Sequence, residues 1–131
     1  PAVLVRRGAF QAVLQQSDLV ISMAGTAAEQ AVGLAKPVLQ LPGQGPQFTA
    51  SFAEAQRRLL GPTVFCAPGD SGSQDNISTS AQMAIQLLKR IQQNLDFQQQ
   101  CHTEAQRRLG SSGGGLRMAS AIGGLCPSTA P

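Results

Sequence analysis

Up to about residue 67, short apolar or β-branched runs alternate with helical patterns bounded by Gly, Pro and Ser. Ala2 to Val5 reads as a strand, and Phe10 to Gln16 as a short helix with Phe10, Val13 and Leu14 on one side. Asp18 to Met23 is apolar nearly throughout, which predicts a strand covered on both faces of a parallel sheet. Gly25 to Ala35 is an alanine-rich helix, closed at Lys36-Pro37 because the residue before a proline is pushed out of the α region. Pro37 to Leu41 is the next strand, and Pro42-Gly-Gln-Gly-Pro46 is a loop by composition. The following helix spaces Phe48, Phe52, Ala55 and Leu59 on one face, which predicts those four as core and leaves Gln47, Ser51, Glu54 and Arg58 elsewhere. Gly61-Pro62 ends it, and Thr63 to Cys66 is a fourth strand.

Residues 68 to 79 are rich in Gly, Ser, Asp and Asn and read as a loop. Ala84, Leu88, Ile91 and Leu95 then mark a long amphipathic helix, and a second helix from about Phe97 to Leu109 ends at Gly110. Ser111-Ser-Gly-Gly-Gly115 reads as flexible, and residues 111–131 are expected to be a disordered tail. Strands alternating with helices predict an α/β fold with a parallel sheet in one domain, residues 1–110. The chain opens on Pro1 and an apolar segment without a polar leader, so a preceding N-terminal portion is expected. Glu54-Ala-Gln-Arg-Arg-Leu-Leu-Gly61 recurs as Glu104-Ala-Gln-Arg-Arg-Leu-Gly110, which reads as ordinary helix-ending chemistry rather than a repeat architecture.

Composition narrows the functional classes. The net charge of +3 comes from ten Lys/Arg against seven Asp/Glu, and the aromatic residues are five Phe with no Tyr or Trp. That balance argues against nucleic-acid binding, which combines a basic groove with stacking platforms. Cys66, Cys101 and Cys126 form no C-x-x-C pair, so neither a disulfide framework nor a zinc site is indicated, and no metal is expected. No apolar run approaches the roughly 20 residues of a membrane span and no secretory leader opens the chain, so a cytoplasmic location is expected, with peripheral contact with the inner membrane left open.

Candidate chemistry sits where the Asp18 to Met23 strand ends and the next helix begins. In open α/β sheets ligands bind beyond the carboxyl ends of the strands, and a helix N-terminus there offers unpaired N–H groups and partial positive charge. Ser22-Met-Ala-Gly-Thr-Ala-Ala-Glu29 supplies a strand, a glycine that lets a ligand approach the backbone, and Thr26, whose hydroxyl can cap the helix or bond a phosphate oxygen. It is neither a P-loop nor a dinucleotide fingerprint, and a plain strand-to-helix turn with a Thr cap has the same residues. His102 has no acid-base or nucleophile partner pattern around it, and Asp18 at a strand start is structural.

Several parts of this stretch occur together: Ser17-Asp18 opening an apolar strand, Ala24-Gly25-Thr26 at its end, Glu29-Gln30 one turn into the helix, Gly33-Leu-Ala-Lys-Pro37 closing it, and a Pro/Gly loop leading to Pro46-Gln47-Phe48. This pattern from Ser17 to Leu60 resembles the C-terminal donor-binding domain of GT-B glycosyltransferases, closest to the lipid-A-disaccharide synthase family, with the peptidoglycan N-acetylglucosaminyl transferases as more distant cousins. The run ending in Ala105-Gln-Arg-Arg-Leu-Gly110 is similar to the close of such domains. The resemblance implies a Rossmann-like parallel sheet with flanking helices. It also implies a UDP-sugar donor with no further cofactor, held with its diphosphate on the backbone N–H groups of Gly25 and Thr26.

The resemblance implies further that a carboxylate one turn into the helix bonds the ribose. The position matching that acid holds Gln30, with Glu29 its neighbour; adjacent helix residues point about 100° apart, so Glu29 reaches the ribose only after a local shift. Gln47 matches a glutamine that approaches the donor, Phe48 is assigned to packing, and the loop from Val5 to Gly8 falls where the family's backbone meets the uracil. The acceptor site and general base belong, in the family's layout, to an N-terminal domain, so the chain alone is expected to bind and not turn over. Two alternatives stand beside this reading: a non-catalytic remnant or interaction module, favoured by Gln30 in place of the acid, and half of a sugar-nucleotide epimerase.

Overall fold

The computed structural model describes residues 3–23, 25–45 and 49–125. The chain is mixed α/β, with a small sheet of three parallel strands, β1 (Val20–Ser22), β2 (Val38–Gln40) and β3 (Val64–Cys66), in sequential order. Around it lie α1 (Phe10–Gln16), α2 (Gly25–Gly33), α3 (Ala50–Leu60), α4 (Gln74–Gln93), α5 (Leu95–Leu109) and α6 (Gly114–Leu125). The strands lie in register, so Val20, Val38 and Val64 form one row, Ile21, Leu39 and Phe65 the next, and Ser22, Gln40 and Cys66 the last.

Alternation along each strand sends the first and third rows to one face and the middle row to the other. On the first face Val38 and Val64 pack with Leu14 of α1, Ala28, Ala31 and Val32 of α2 and Leu60 of α3. On the second, Leu39 packs with Leu87 of α4 and Phe97 and Cys101 of α5, joined by Phe65, Met83, Ala84 and Ile91. Both crossover helices, α2 and α3, thus lie on the same face while the strands advance in one direction, which gives the two βαβ crossovers the same hand.

The carboxyl half of α5 closes the end of the molecule where β2 and β3 begin. Leu109 lies against Gly33, where α2 ends, and Glu104 against Gly61, where α3 ends. Arg108 donates to the carbonyls of Arg58 and Leu59 at 3.1 and 3.2 Å, satisfying acceptors that the last turn of α3 cannot use internally.

Six expectations are corrected. Residues 3–5 of the expected Ala2 to Val5 strand have no regular structure, and Val3, Leu4 and Val5 are exposed; without a neighbouring ladder the backbone has no partner for the strand conformation. Ala2 lies outside the described residues. The sheet consequently has three strands, and β1 is an edge strand whose Ile21 is 54% exposed rather than covered on both faces.

The apolar face of α3 is rotated from the expected one. Gln56 and Leu60 are buried, Ala53 is partly so, and Leu59 is 63% exposed. Residues 53, 56 and 60 lie three and four apart, and the fixed end of the helix at Gly61 turns that stripe to the sheet. Phe48 lies outside the described residues.

The helix α4 starts at Gln74, inside the stretch expected to be a loop. The Ser73 hydroxyl caps it by accepting from Asn76 N at 3.1 Å, and buried Asn76 donates to the Pro68 carbonyl at 2.6 Å, so polar residues here serve a helix start. Its inner face is Met83, Ala84, Leu87 and Ile91 instead of one running through Leu88 and Leu95. Asn94 ends α4 and caps α5 through its side chain, accepting from Phe97 N at 2.9 Å, so Leu95 is the first residue of α5, 77% exposed, and not part of α4.

The expected disordered tail, residues 111–131, carries α6 over Gly114–Leu125, and residues 126–131 lie outside the described residues. Residues 116–122 are mostly good helix formers, and the Arg117 guanidinium ties the first turn to the carbonyls of Ser112 and Ser111 at 2.9 and 3.1 Å. None of its residues is buried.

Candidate functional site

Each strand ends on a polar residue after two apolar ones: Val-Ile-Ser22, Val-Leu-Gln40 and Val-Phe-Cys66. Register aligns the three into a polar row at the carboxyl edge of the sheet, on the face that carries α2 and α3. Ser22 and Gln40 are buried and Cys66 half-buried. Buried polar groups must find partners inside the protein, and here Gln56 of α3 supplies one. The Gln40 side-chain nitrogen donates to Gln56 Oε1, and the Cys66 thiol donates to Gln40 Oε1 at 3.6 Å. Burial pushes the Cys66 thiol up, which keeps it protonated and a donor; Cys101, enclosed in the core, is pushed up to about 11 for the same reason.

The amide chain from Cys66 to Gln56 ends beneath the start of α2. Gln56 Nε2 lies 2.6 Å from the position a Cβ on Gly25 would take. The glycine expected to admit a ligand therefore admits a protein group on its α-carbon side. Thr26 is the second residue of α2 and is exposed.

Glu29 and Gln30 are both exposed, but they diverge. Four residues after Gly25, Glu29 stands over it on the same side of the helix. Gln30 opens onto a groove between α1 and α2 that Phe10, Gln11 and Leu14 also line. The structure thus places Glu29, the neighbour of the expected ribose position, nearer the Gly25 side than Gln30. Gln47 and Ala24 lie outside the described residues. The Arg6 to Gly8 stretch is an exposed loop.

A cavity of about 210 Å³ flanks the same polar row on the α3 side. Gln40, Cys66, Thr49, Ala53, Glu54 and Gly69 are among its walls. Thr49 caps α3, its hydroxyl accepting from Phe52 N at 3.2 Å. Glu54 accepts from Arg57 at 2.7 and 2.9 Å and from Arg58 at 3.1 Å. Sequence reading missed Gln40, Gln56 and Cys66; the available signal was the polar residue ending each apolar strand, whose alignment depends on register.

The arginine hydrogen bonds, Arg57 first and then Arg58, hold the Glu54 carboxyl down to about 2 from 4.5. A depressed carboxylate contributes stability that is present above its unfolded pKa and lost as pH falls through the folded value. The difference in urea midpoint between the wild type and Glu54→Gln is therefore expected to narrow as pH falls from 4.5 to 2. The pair is exposed and salt-screened, so the difference is small and shrinks further in high salt.

Among the described residues no group of three or more His, Cys, Asp or Glu could hold a metal ion, and no helix is long and apolar enough to cross a membrane. His102 is exposed on α5 beside Asp18, Leu34 and Lys36, near the starts of β1 and β2 and away from the polar row. No protein-family model matches the chain, and neither a curated protein nor a solved structure does. The geometry of the strand ends therefore carries the functional reading. What that geometry can do chemically is hold an acceptor-rich ligand at the exposed N–H groups that begin α2, with a cavity of mixed polar and apolar lining beside the strand-end row.

Proposed function

We propose that this chain is the Rossmann-like donor-binding domain of a GT-B glycosyltransferase of the lipid-A-disaccharide synthase kind, and that its ligand is UDP or a UDP-sugar. The observation that carries the reading is the start of α2 at Gly25-Thr26, opening directly off the carboxyl end of a parallel strand and above a row of polar strand-end residues. The first N–H groups of a helix have no intrahelical acceptors, and the aligned peptide dipoles put partial positive charge there. A diphosphate bound at that point gains charge-assisted hydrogen bonds. As UDP departs from the sugar, negative charge grows on the diphosphate, and fixed dipoles stabilise it without reorganising.

In this reading Glu29, over Gly25, takes the ribose hydroxyls, and the cavity beside Gln40 and Thr49 faces the sugar. The general base and acceptor belong to the companion domain of the family's layout, so the chain binds the donor and does not transfer the sugar. Calorimetry with UDP on the folded chain tests the reading, together with nitrogen-proton NMR. Saturable shifts centred on Gly25 and Thr26 are the expected result, and a folded protein whose spectrum UDP leaves unchanged overturns it.

A second reading, an interaction module that has lost the ligand, is favoured by one observation: Gln30, at the position of the family's ribose acid, opens onto the groove with α1. The unchanged spectrum is its expected result.

A further inference from the structure

One edge of the sheet is open along β1. Val20 N donates to Pro37 O at 3.1 Å and Ser22 O accepts from Leu41 N at 3.2 Å, so these two residues spend backbone groups on the β2 side. Pairing alternates along a parallel strand, which turns the N–H and C=O of Ile21 to the edge that no described strand covers. Proline and lysine, which blunt such edges, are absent from β1.

The side chains beside this edge are apolar. Ile21 lines a cleft with Leu19, Ala84, Ile85 and Leu88, and Gln92 ties α4 alongside by donating to Asp18 at 3.1 Å. Ile21 and Ile85 are each 54% exposed, and Met23 and Ile77 are open as well. Ile77, Ala81, Ile85 and Leu88 fall at helical spacing on one side of α4, and from Ile77 to Leu88 the helix has no charged residue. A helix face left to water ordinarily carries charge.

Open backbone groups beside an uncharged apolar flank define the partner. A lipid surface cannot bond a strand edge, and a nucleic acid needs cations, of which the stretch from Ile77 to Leu88 has none. A twofold axis sets each group against its own copy, which like charges oppose and apolar groups accept. We infer that this face binds a second copy of the chain, β1 pairing antiparallel with β1 of the other copy about an axis at Ile21. Where two strands related by such an axis exchange both backbone bonds, the residues on the axis are the same residue, and Ile21 has both groups facing out. That register sets Leu19 opposite Met23 of the other copy, and the two α4 helices meet along the stripe through Ile85. The inference does not depend on the donor-binding reading.

Sedimentation equilibrium of the full chain over a wide concentration range is the test. A reversible dimer is the expected result; a chain that stays monomeric throughout overturns the inference and leaves the edge to a strand of another protein. Ile21→Lys and Ile85→Lys are each expected to raise the dimer Kd at least about tenfold, because each sets two lysines against one another near the axis. Both positions are exposed, so circular dichroism and the urea midpoint are expected to stay near wild type. Ile122→Lys on the exposed face of α6 is the control and is expected to leave the Kd unchanged. A dimer that Ile122→Lys abolishes, or that Ile21→Lys and Ile85→Lys leave intact, overturns the assignment. In mixed labelled and unlabelled protein, isotope-filtered NMR is expected to show contacts between the two Ile21 side chains and between Leu19 and Met23 of different copies; a dimer that shows neither overturns the pairing.

Discussion

Replacing Phe97 by alanine is expected to remove about 3 to 5 kcal/mol of folding free energy, a large part of the 5 to 15 kcal/mol that a domain of this size holds. Phe97 is 2% exposed and lies at the centre of the second core. Its ring meets Phe65 of β3 edge-on, with centroids 6.2 Å apart, and the Arg90 guanidinium of α4 lies 4.0 Å from its centroid. The side chain therefore joins the sheet, α4 and α5 at one point. Truncation loses transfer free energy, two ring interactions and the packing of a cavity that rigid neighbours fill only in part. Urea denaturation checks the result, with Phe97→Leu expected to cost roughly half as much because it keeps much of the volume. A midpoint for Phe97→Ala within experimental error of wild type would mean that α5 is not docked as described.

Gly61→Ala is expected to cost about 2 to 4 kcal/mol, from two sources that separate experimentally. Gly61 ends α3 with φ +96° and ψ −173°, a region open in practice to glycine alone, while its N–H closes the helix on Arg57 O at 2.9 Å. A Cβ there would also stand 2.6 Å from Glu104 Oε2 and 3.3 Å from Arg108 Nε, displacing a buried carboxylate and the arginine that bonds the end of α3. Gly110 is the control. It ends α5 with φ +74° and ψ −172°, but a Cβ on it meets nothing within 4 Å, so Gly110→Ala carries the backbone cost alone. Thermal and urea unfolding are expected to show Gly61→Ala clearly worse than Gly110→Ala. Equal losses would show that the Glu104–Arg108 contact yields without cost.

These two glycines end helices whose closing segments are nearly the same, and the comparison shows where local sequence stops being informative. Glu54-Ala-Gln-Arg-Arg and Glu104-Ala-Gln-Arg-Arg both form salt bridges within their own helix. On α3 the glutamate borders a surface cavity and the glutamine is the buried Gln56 of the polar row. On α5 the glutamate is buried, the glutamine Gln106 is exposed, and Arg108 reaches across to α3. Identical local chemistry acquires opposite burial because the two helices present different sides to the rest of the chain.

The candidate site divides in the same way. Gly25 and Thr26 were legible because a strand, a glycine and a helix start are adjacent in the chain. Gln40 and Gln56 were not, since their hydrogen bond spans 16 residues and exists only once α3 lies across the end of β2. The i, i+4 spacing already puts Glu29 on the Gly25 side of the helix, whereas the opening of Gln30 onto a groove follows from the packing of α1 against α2.

By itself, the order of apolar and polar residues determined the alternation of strands and helices, the parallel α/β class, and the ends of α1, α3 and α5, because propensity, caps and breakers act within a few residues. The tertiary structure alone decided the three-strand limit of the sheet, the face of α3 that turns inward, and the meeting of the Gln56 amide with α2. Those depend on contacts between residues tens of positions apart, where burial and the need to satisfy buried polar groups outweigh local preference.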